Sequence, residues 1–228
     1  MVNDQVLADL ALRFFADGVL QIDTKLGFKL KWHEQNPRAP LSPIYLRICT
    51  PENPKPGPLS QETLNYVGQL LWQKAKKEQL FFHAVAGLPN AGTPIAEAFA
   101  RAALVDGKVF PVIVLEKMTA GTGTRTVSRI LDDKGVPRSS VVLMIDDLIT
   151  GGDTKDEGVE TLSSAGYRVN DVLVVVDRQQ GGAEYLKKRG MQLWYLLTLP
   201  EIINLLAKEG KITKEEQFVI LQYLGTQI

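Results

Sequence analysis

The apolar run Val141, Val142, Leu143, Met144, Ile145 stops abruptly at two adjacent carboxylates, Asp146 and Asp147. Leu148, Ile149, Thr150, Gly151 and Gly152 follow, and a helical pattern opens at Asp153 and Thr154. In a parallel sheet the carboxyl end of a strand is where ligands bind. A glycine-rich turn feeding a helix N-terminus aims backbone N–H groups at a phosphate. Carboxylates do not hold phosphate themselves, but they accept hydrogen bonds from sugar hydroxyls and, through water, help hold a divalent cation. Five acids against the single Lys155 give residues 146–157 a local charge of −4. A plainer reading makes this a surface turn with Asp153 or Thr154 as helix cap. Two acids, a hydroxyl and paired glycines in one unit after a buried strand favour the phosphate cradle.

A second constellation, Asp177-Arg178-Gln179-Gln180-Gly181-Gly182, also follows an apolar strand, residues 172–176. The planar guanidinium of Arg178 suits a bidentate pair with a carboxylate better than a point charge would. Other patterns are weak. Gly121-Thr122-Gly123 lacks the third glycine of a dinucleotide fingerprint, and Ala102 stands where a Walker loop ending in Gly107-Lys108 needs glycine. With His33, His83 and one cysteine, Cys49, neither a His/Cys metal cluster nor an intrachain disulfide can be assembled, which fits a reducing, cytoplasmic setting. The 26 basic and 26 acidic residues cancel, so no basic surplus points to nucleic acid or an acidic membrane. No apolar run approaches the ~20 residues of a membrane span, and the first residues carry acids rather than the basic start of a secretory signal.

These groups need a scaffold. From about Phe81, short apolar runs alternate with helical patterns: strands at 82–86, 109–115, 141–145, 172–176 and 193–197, with helices around 94–103, 155–165 and 183–189. Continuous apolar strands separated by helices predict a parallel sheet covered on both faces. Residues 116–134, polar and rich in Gly and Thr, are too long for an ordinary connector and read as a functional loop. Ahead of this core, Val6, Leu7, Leu10, Ala11 and Phe14 predict a helix ending near Gly18. Residues 27–31 alternate like an exposed strand, 33–41 interrupt with turn chemistry, and 42–48 resume as extended chain. Prolines exclude regular structure from 51–58, and Ser60 is positioned to cap a helix carrying Leu64, Val67, Leu70 and Leu71. Two more helices follow, at 201–209 and 214–224, the second opened by Thr213 and Glu216 as a capping box.

The segment Ile145-Asp146-Asp147-Leu148-Ile149-Thr150-Gly151-Gly152 resembles the phosphoribosyl pyrophosphate signature of type I phosphoribosyltransferases. Within that superfamily, several segments resemble orotate phosphoribosyltransferases. They are Phe28-Lys29-Leu30-Lys31, Ser42-Pro43-Ile44-Tyr45, Gly87-Leu88-Pro89 with Pro94-Ile95-Ala96, and above all the Arg178 segment. The resemblance implies an α/β fold: a parallel twisted sheet flanked by helices, with a small N-terminal hood and a long flexible loop. It implies one domain, with hood at 1–58, core at 59–200 and C-terminal helices at 201–228. Donor-binding positions would be Lys31, Asn90, Ala91, Lys117, Asp146, Asp147, Leu148, Ile149, Thr150, Gly151, Gly152, Asp153 and Thr154. The base would meet Tyr45, Leu46, Thr150 and Arg178, and Mg2+ would be held through substrate and water near Asp146 and Asp147. The expected activity joins orotate, or a similar pyrimidine base, to phosphoribosyl pyrophosphate in pyrimidine nucleotide biosynthesis. The family also implies a homodimer in which the loop of one subunit serves its neighbour's site.

The loop departs from the family. Lys117 falls on a family basic position, but Glu116 replaces an arginine, Ala120 replaces the lysine usually given the main catalytic role, and Thr122 stands where histidine or tyrosine is common. Arg125 and Arg129 with Lys117, less Glu116, keep residues 116–130 at +2, so Lys117 and Arg125 join Asp146 and Asp147 as the catalytic candidates. Asp153 puts a carboxylate in the cradle and 33–41 is an insertion beside the base site. Two alternatives stay open: a non-catalytic protein binding phosphoribosyl pyrophosphate or a nucleotide, and transfer to another base.

Overall fold

A computed structural model describes residues 3–34, 36–50, 57–119, 125–151 and 153–225. Six strands form one sheet in the order β5-β4-β3-β6-β7-β8, from β3 (Ala84–Gly87), β4 (Val112–Thr119), β5 (Arg125–Asp132), β6 (Val142–Ile149), β7 (Asp171–Asp177) and β8 (Gln192–Thr198). Strands β4, β3, β6, β7 and β8 run parallel, as their apolar runs predict. Between them lie α3 (Gly92–Val105), α4 (Asp153–Ser164) and α5 (Gly182–Lys188). Side chains alternate across the sheet. Leu143, Ile145, Leu173 and Val175 join a core with α2 (Gln61–Lys77) and α3, while Val142, Met144, Val172 and Val174 join a second core with Leu162 of α4 and Leu186 of α5. That two-sided burial is why the strands read as unbroken hydrophobic runs.

The N-terminal region packs into the first core. Helix α1 (Asp4–Ala16) starts where the Asn3 side chain accepts from Val6 N at 3.0 Å, and Gly18, at φ 73°, turns the chain into β1 (Leu20–Ile22). Strand β1 pairs antiparallel with β2 (Ile44–Leu46). Residues 27–31, expected as a strand, contribute only the Phe28–Ser42 bridge before Lys31–Glu34 curl into a 3-10 turn. The pairing partner of β2 is instead Leu20–Ile22, too short to show periodicity in the sequence. Ser60 caps α2, accepting from Thr63 N at 3.1 Å. Helices α6 (Leu199–Lys208) and α7 (Lys214–Gly225) each begin with a capping box, Thr198 with Glu201 and Thr213 with Glu216, and their buried Ile202, Ile203, Leu206, Ile220 and Leu224 complete the core.

The stretch 116–134 differs from the expected loop. Strand β4 continues to Thr119 and β5 returns antiparallel beside it, so among the described residues the loop is a hairpin at the sheet edge. The register shifts between Val114 and Leu115 and between Glu116 and Lys117, so the arms carry no unbroken period of two that the sequence could show. Residues 51–56 and the hairpin tip, 120–124, lie outside the described residues.

Candidate functional site

From β3 the chain crosses through α3 to β4 on one side, and from β6 through α4 to β7 on the other. The sheet's topological switch point therefore falls between β3 and β6, the crevice where open α/β sheets bind ligands. Both turns named from the sequence meet there. Leu88 N donates to Ile145 O at 3.0 Å, tying the turn after β3 to the acidic end of β6. The approach depends on glycine: a Cβ on Gly92 would lie 2.6 Å from Ile145 O and 2.9 Å from Asp146 Oδ1. Helix α3 follows Ala91, which offers no side-chain cap; Gly92 N donates to Leu88 O at 2.8 Å and Pro94 has no N–H, so of its first three residues Thr93 alone keeps an amide for an anion. Asn90 is exposed and Ala91 half-buried at this helix start.

The two acids have different environments. Asp146 is buried and accepts from Lys155 Nζ at 2.5 Å; the same ammonium donates to Leu148 O at 2.6 Å. Lys155 is itself buried, in the first turn of α4, so one cation neutralises Asp146 and fastens the start of the cradle. In the sequence Lys155 counted only toward the local charge; its contact spans nine residues and has no motif. Asp147 is half-buried and accepts from Leu148 N at 2.7 Å. Desolvation, then the charge of Asp146, push the Asp147 carboxyl well above the usual carboxylate range, against the pull of Lys155. Thr150 and Gly151 are exposed beyond Ile149. Gly152 and the side chains of Lys31, Arg125, Asp153 and Thr154 lie outside the described residues and atoms.

A cleft of about 540 Å³ opens beside the cradle. Thr150 and Gly151 form one wall, Arg178 and Gln180 another, and Tyr45 and Leu46 of β2 a third, so all four residues expected at the base line one space. Leu199 and Tyr223, from the C-terminal helices, line it without any sequence signal, and Lys29, two positions before the expected Lys31, lies in the resembling segment but was not itself expected at the site. The turn carrying Arg178 is built for close approach. Asp177 accepts from Gln179 N at 2.8 Å, Gln179 sits at φ 56° and Gly181 at φ 93°, and Arg178 N donates to Ile149 O at 3.1 Å. A Cβ on Gly182 would come within 2.7 Å of Thr150 O and 2.5 Å of Ile149 Cγ1, which explains the second glycine of the segment. Burial lowers the pKa of the Arg178 guanidinium, with Tyr223 acting in the opposite direction, and the buried Arg178 Nε has no hydrogen-bond partner among the described residues.

On the hairpin, Lys117 is half-buried opposite Val127. Arg129, reckoned among the loop's free cations, faces Glu116 across the pair at 3.8 Å. The outer edge of β5 is covered by α4: Val127 N donates to Glu157 Oε2 at 2.8 Å, and Thr161 Oγ1 donates to Val127 O at 2.9 Å. Ala120 and Thr122 lie outside the described residues.

For a divalent cation, the described residues offer no cluster of three or more His, Cys, Asp or Glu side chains. One Asp146 oxygen is engaged by Lys155, leaving Asp147 as the accessible hard-oxygen group. That donor set fits a magnesium ion brought in on a substrate's own phosphates rather than a protein-built cage. None of the described helices is long and apolar enough to cross a membrane.

No family model matches the chain. It is 32% identical over 184 residues to the orotate phosphoribosyltransferase of Saccharolobus solfataricus, covering 81% of this chain and 85% of that protein. It is 29% identical over 175 residues to the uridine 5'-monophosphate synthase of Bos taurus, covering 76% of this chain but only a third (33%) of the bovine protein. Its fold is similar to the crystal structure of orotate phosphoribosyltransferase from Aeropyrum pernix, with a TM-score of 0.65 at 23% identity over 90% of this chain and 99% of that one.

Proposed function

The chain belongs to the orotate phosphoribosyltransferase family, and from that membership we propose that it joins orotate to phosphoribosyl pyrophosphate, releasing pyrophosphate and forming a pyrimidine nucleotide. The observation that carries this reading is the single cleft in which Arg178, Tyr45, Leu46 and the Thr150–Gly151 turn converge beside the acids of β6. A ring nitrogen of the base forms a bond to C1 of the ribose as the bond from C1 to the pyrophosphate oxygen breaks, through an oxocarbenium-like transition state. The backbone N–H groups of residues 150–154 grip the 5′-phosphate, and Asp147 accepts from a ribose hydroxyl while Asp146, neutralised by Lys155, steadies the turn. Arg178 pairs with the orotate carboxylate, fixing which nitrogen faces C1. Lys117 and the Thr93 N–H at the start of α3 meet the negative charge that grows on the leaving pyrophosphate. When bound, Mg2+ would supply further charge neutralisation to the pyrophosphate, held through substrate and water near Asp146 and Asp147.

We infer a homodimer from the same membership. The direct test incubates purified protein with orotate, phosphoribosyl pyrophosphate and MgCl2 and follows loss of orotate absorbance. Turnover is expected; none at high protein concentration, with folding intact by circular dichroism, overturns the reading. The Glu116–Arg129 pairing, which removes one cation from a loop already carrying Ala120, favours a second reading: donor binding without turnover. Calorimetry showing donor binding in a sample that fails the absorbance assay selects it.

A further inference from the structure

Helix α7 is held by its own core contacts rather than by any ligand. Ile220 and Leu224 are buried, Thr213 and Glu216 cap its start, and Gln217 Nε2 donates to Asn204 Oδ1 of α6 at 2.8 Å. Tyr223, between those buried positions, reaches the base cleft and lines it together with Arg178, Lys29 and Tyr45. On its other side the same tyrosine lines a second groove of about 470 Å³, formed with Lys25, Leu26, Leu41 and Gln222. Tyr223 therefore borders both the cleft and the second groove, and it is half-buried. A phenolic O–H donates one hydrogen bond and accepts others, and Tyr223 and Arg178 line the same cleft.

We propose that Tyr223 is a specificity-determining residue for the base, its hydroxyl donating to the carboxylate that Arg178 draws into the cleft. This rests on the reading of the cleft as an orotate site. A carboxylate has more acceptor positions than one guanidinium can fill, and a second donor lining the cleft takes one that water would otherwise occupy. A site whose polar groups are matched to the substrate's rejects an analogue lacking the partner, because those groups are then left unpaired. Uracil, which is orotate without the carboxylate, is the analogue to compare. Lys29, exposed at the rim, adds charge without fixing geometry.

The test is Tyr223→Phe, which keeps the ring and the packing of α7. Orotate KM is expected to rise about tenfold, equivalent to about 1.4 kcal/mol, with kcat within twofold. Preference for orotate over uracil should fall by a similar factor, and the calorimetric Kd for phosphoribosyl pyrophosphate should stay within twofold. An orotate KM within twofold of wild type overturns the proposal. So does a donor Kd that weakens by the same factor as orotate, which would mark a structural role. Wild-type protein that neither binds nor turns over orotate overturns the parent reading and this proposal with it. Active wild type with an unaltered Tyr223→Phe enzyme refutes Tyr223 alone.

Discussion

Asp146 carries its counter-charge inside the protein. With Lys155 buried beside it and bonded also to Leu148 O, removing the ammonium strands a carboxylate in a low-dielectric site. Lys155→Met is expected to cost about 3–5 kcal/mol of folding stability, read by urea denaturation. Adding Asp146→Asn should restore a measurable part of it, because the two effects are coupled. Asp147 behaves in the opposite sense. Its carboxyl pKa is raised in the native state, so the folded protein binds that proton more tightly than the unfolded chain does. The stability this contributes is complete below the unfolded carboxylate pKa and is lost as pH rises through the higher native value. Asp147→Asn removes the loss. Screening at a half-buried group limits the gain to about 1 kcal/mol, raising Tm by about 2–4 °C above the native pKa with no gain near pH 4, while donor binding in calorimetry falls at least tenfold. The placement of the acids, the glycines and Arg178 was legible in the sequence because it is local, each position set by a strand end and the turn after it. Lys155, Lys29 and Tyr223 were not, because what matters about them is contact across the fold.

The two turns of the site are held together by glycine at places where backbone meets backbone. Gly182, opening α5, faces Thr150 O and Ile149, and neither a carbonyl oxygen nor a packed strand end yields cheaply. Gly182→Ala is expected to lower stability by about 1–3 kcal/mol and to raise the KM for both substrates, since the displaced turn serves the cradle and Arg178 together. Urea denaturation and initial-rate kinetics check the two parts. The parallel strands and their helices followed from hydrophobic runs buried on two faces. The β4–β5 hairpin did not, because its register shifts break the alternation and Glu157 and Thr161 reach over from α4 to cover its outer edge at Val127. The single bridge at Phe28 is the converse, an alternating pattern to which the fold gives only one pairing partner.

At the scale of the molecule, zero net charge conceals segregation: −4 over residues 146–157 against +2 over residues 116–130. Under the proposed homodimer, the loop of one subunit meets the acids of the other. Mixed dimers of Lys117→Ala and Asp147→Asn, each nearly inactive alone, should then recover up to about a quarter of wild-type turnover, because half of random pairs are mixed and each has one intact site of two. Absence of recovery in a mixture shown by native mass spectrometry to have exchanged subunits counts against loop sharing. The base cleft has a further consequence. Its walls come from Lys29 and Tyr45 near one end of the chain, Thr150 and Arg178 from the middle, and Tyr223 near the other end. Synthesis runs from the N-terminus, so a nascent chain can pair its sheet and form the cradle while α7 is still inside the ribosome. A growing polypeptide would thus complete its phosphate cradle before the last wall of the base cleft.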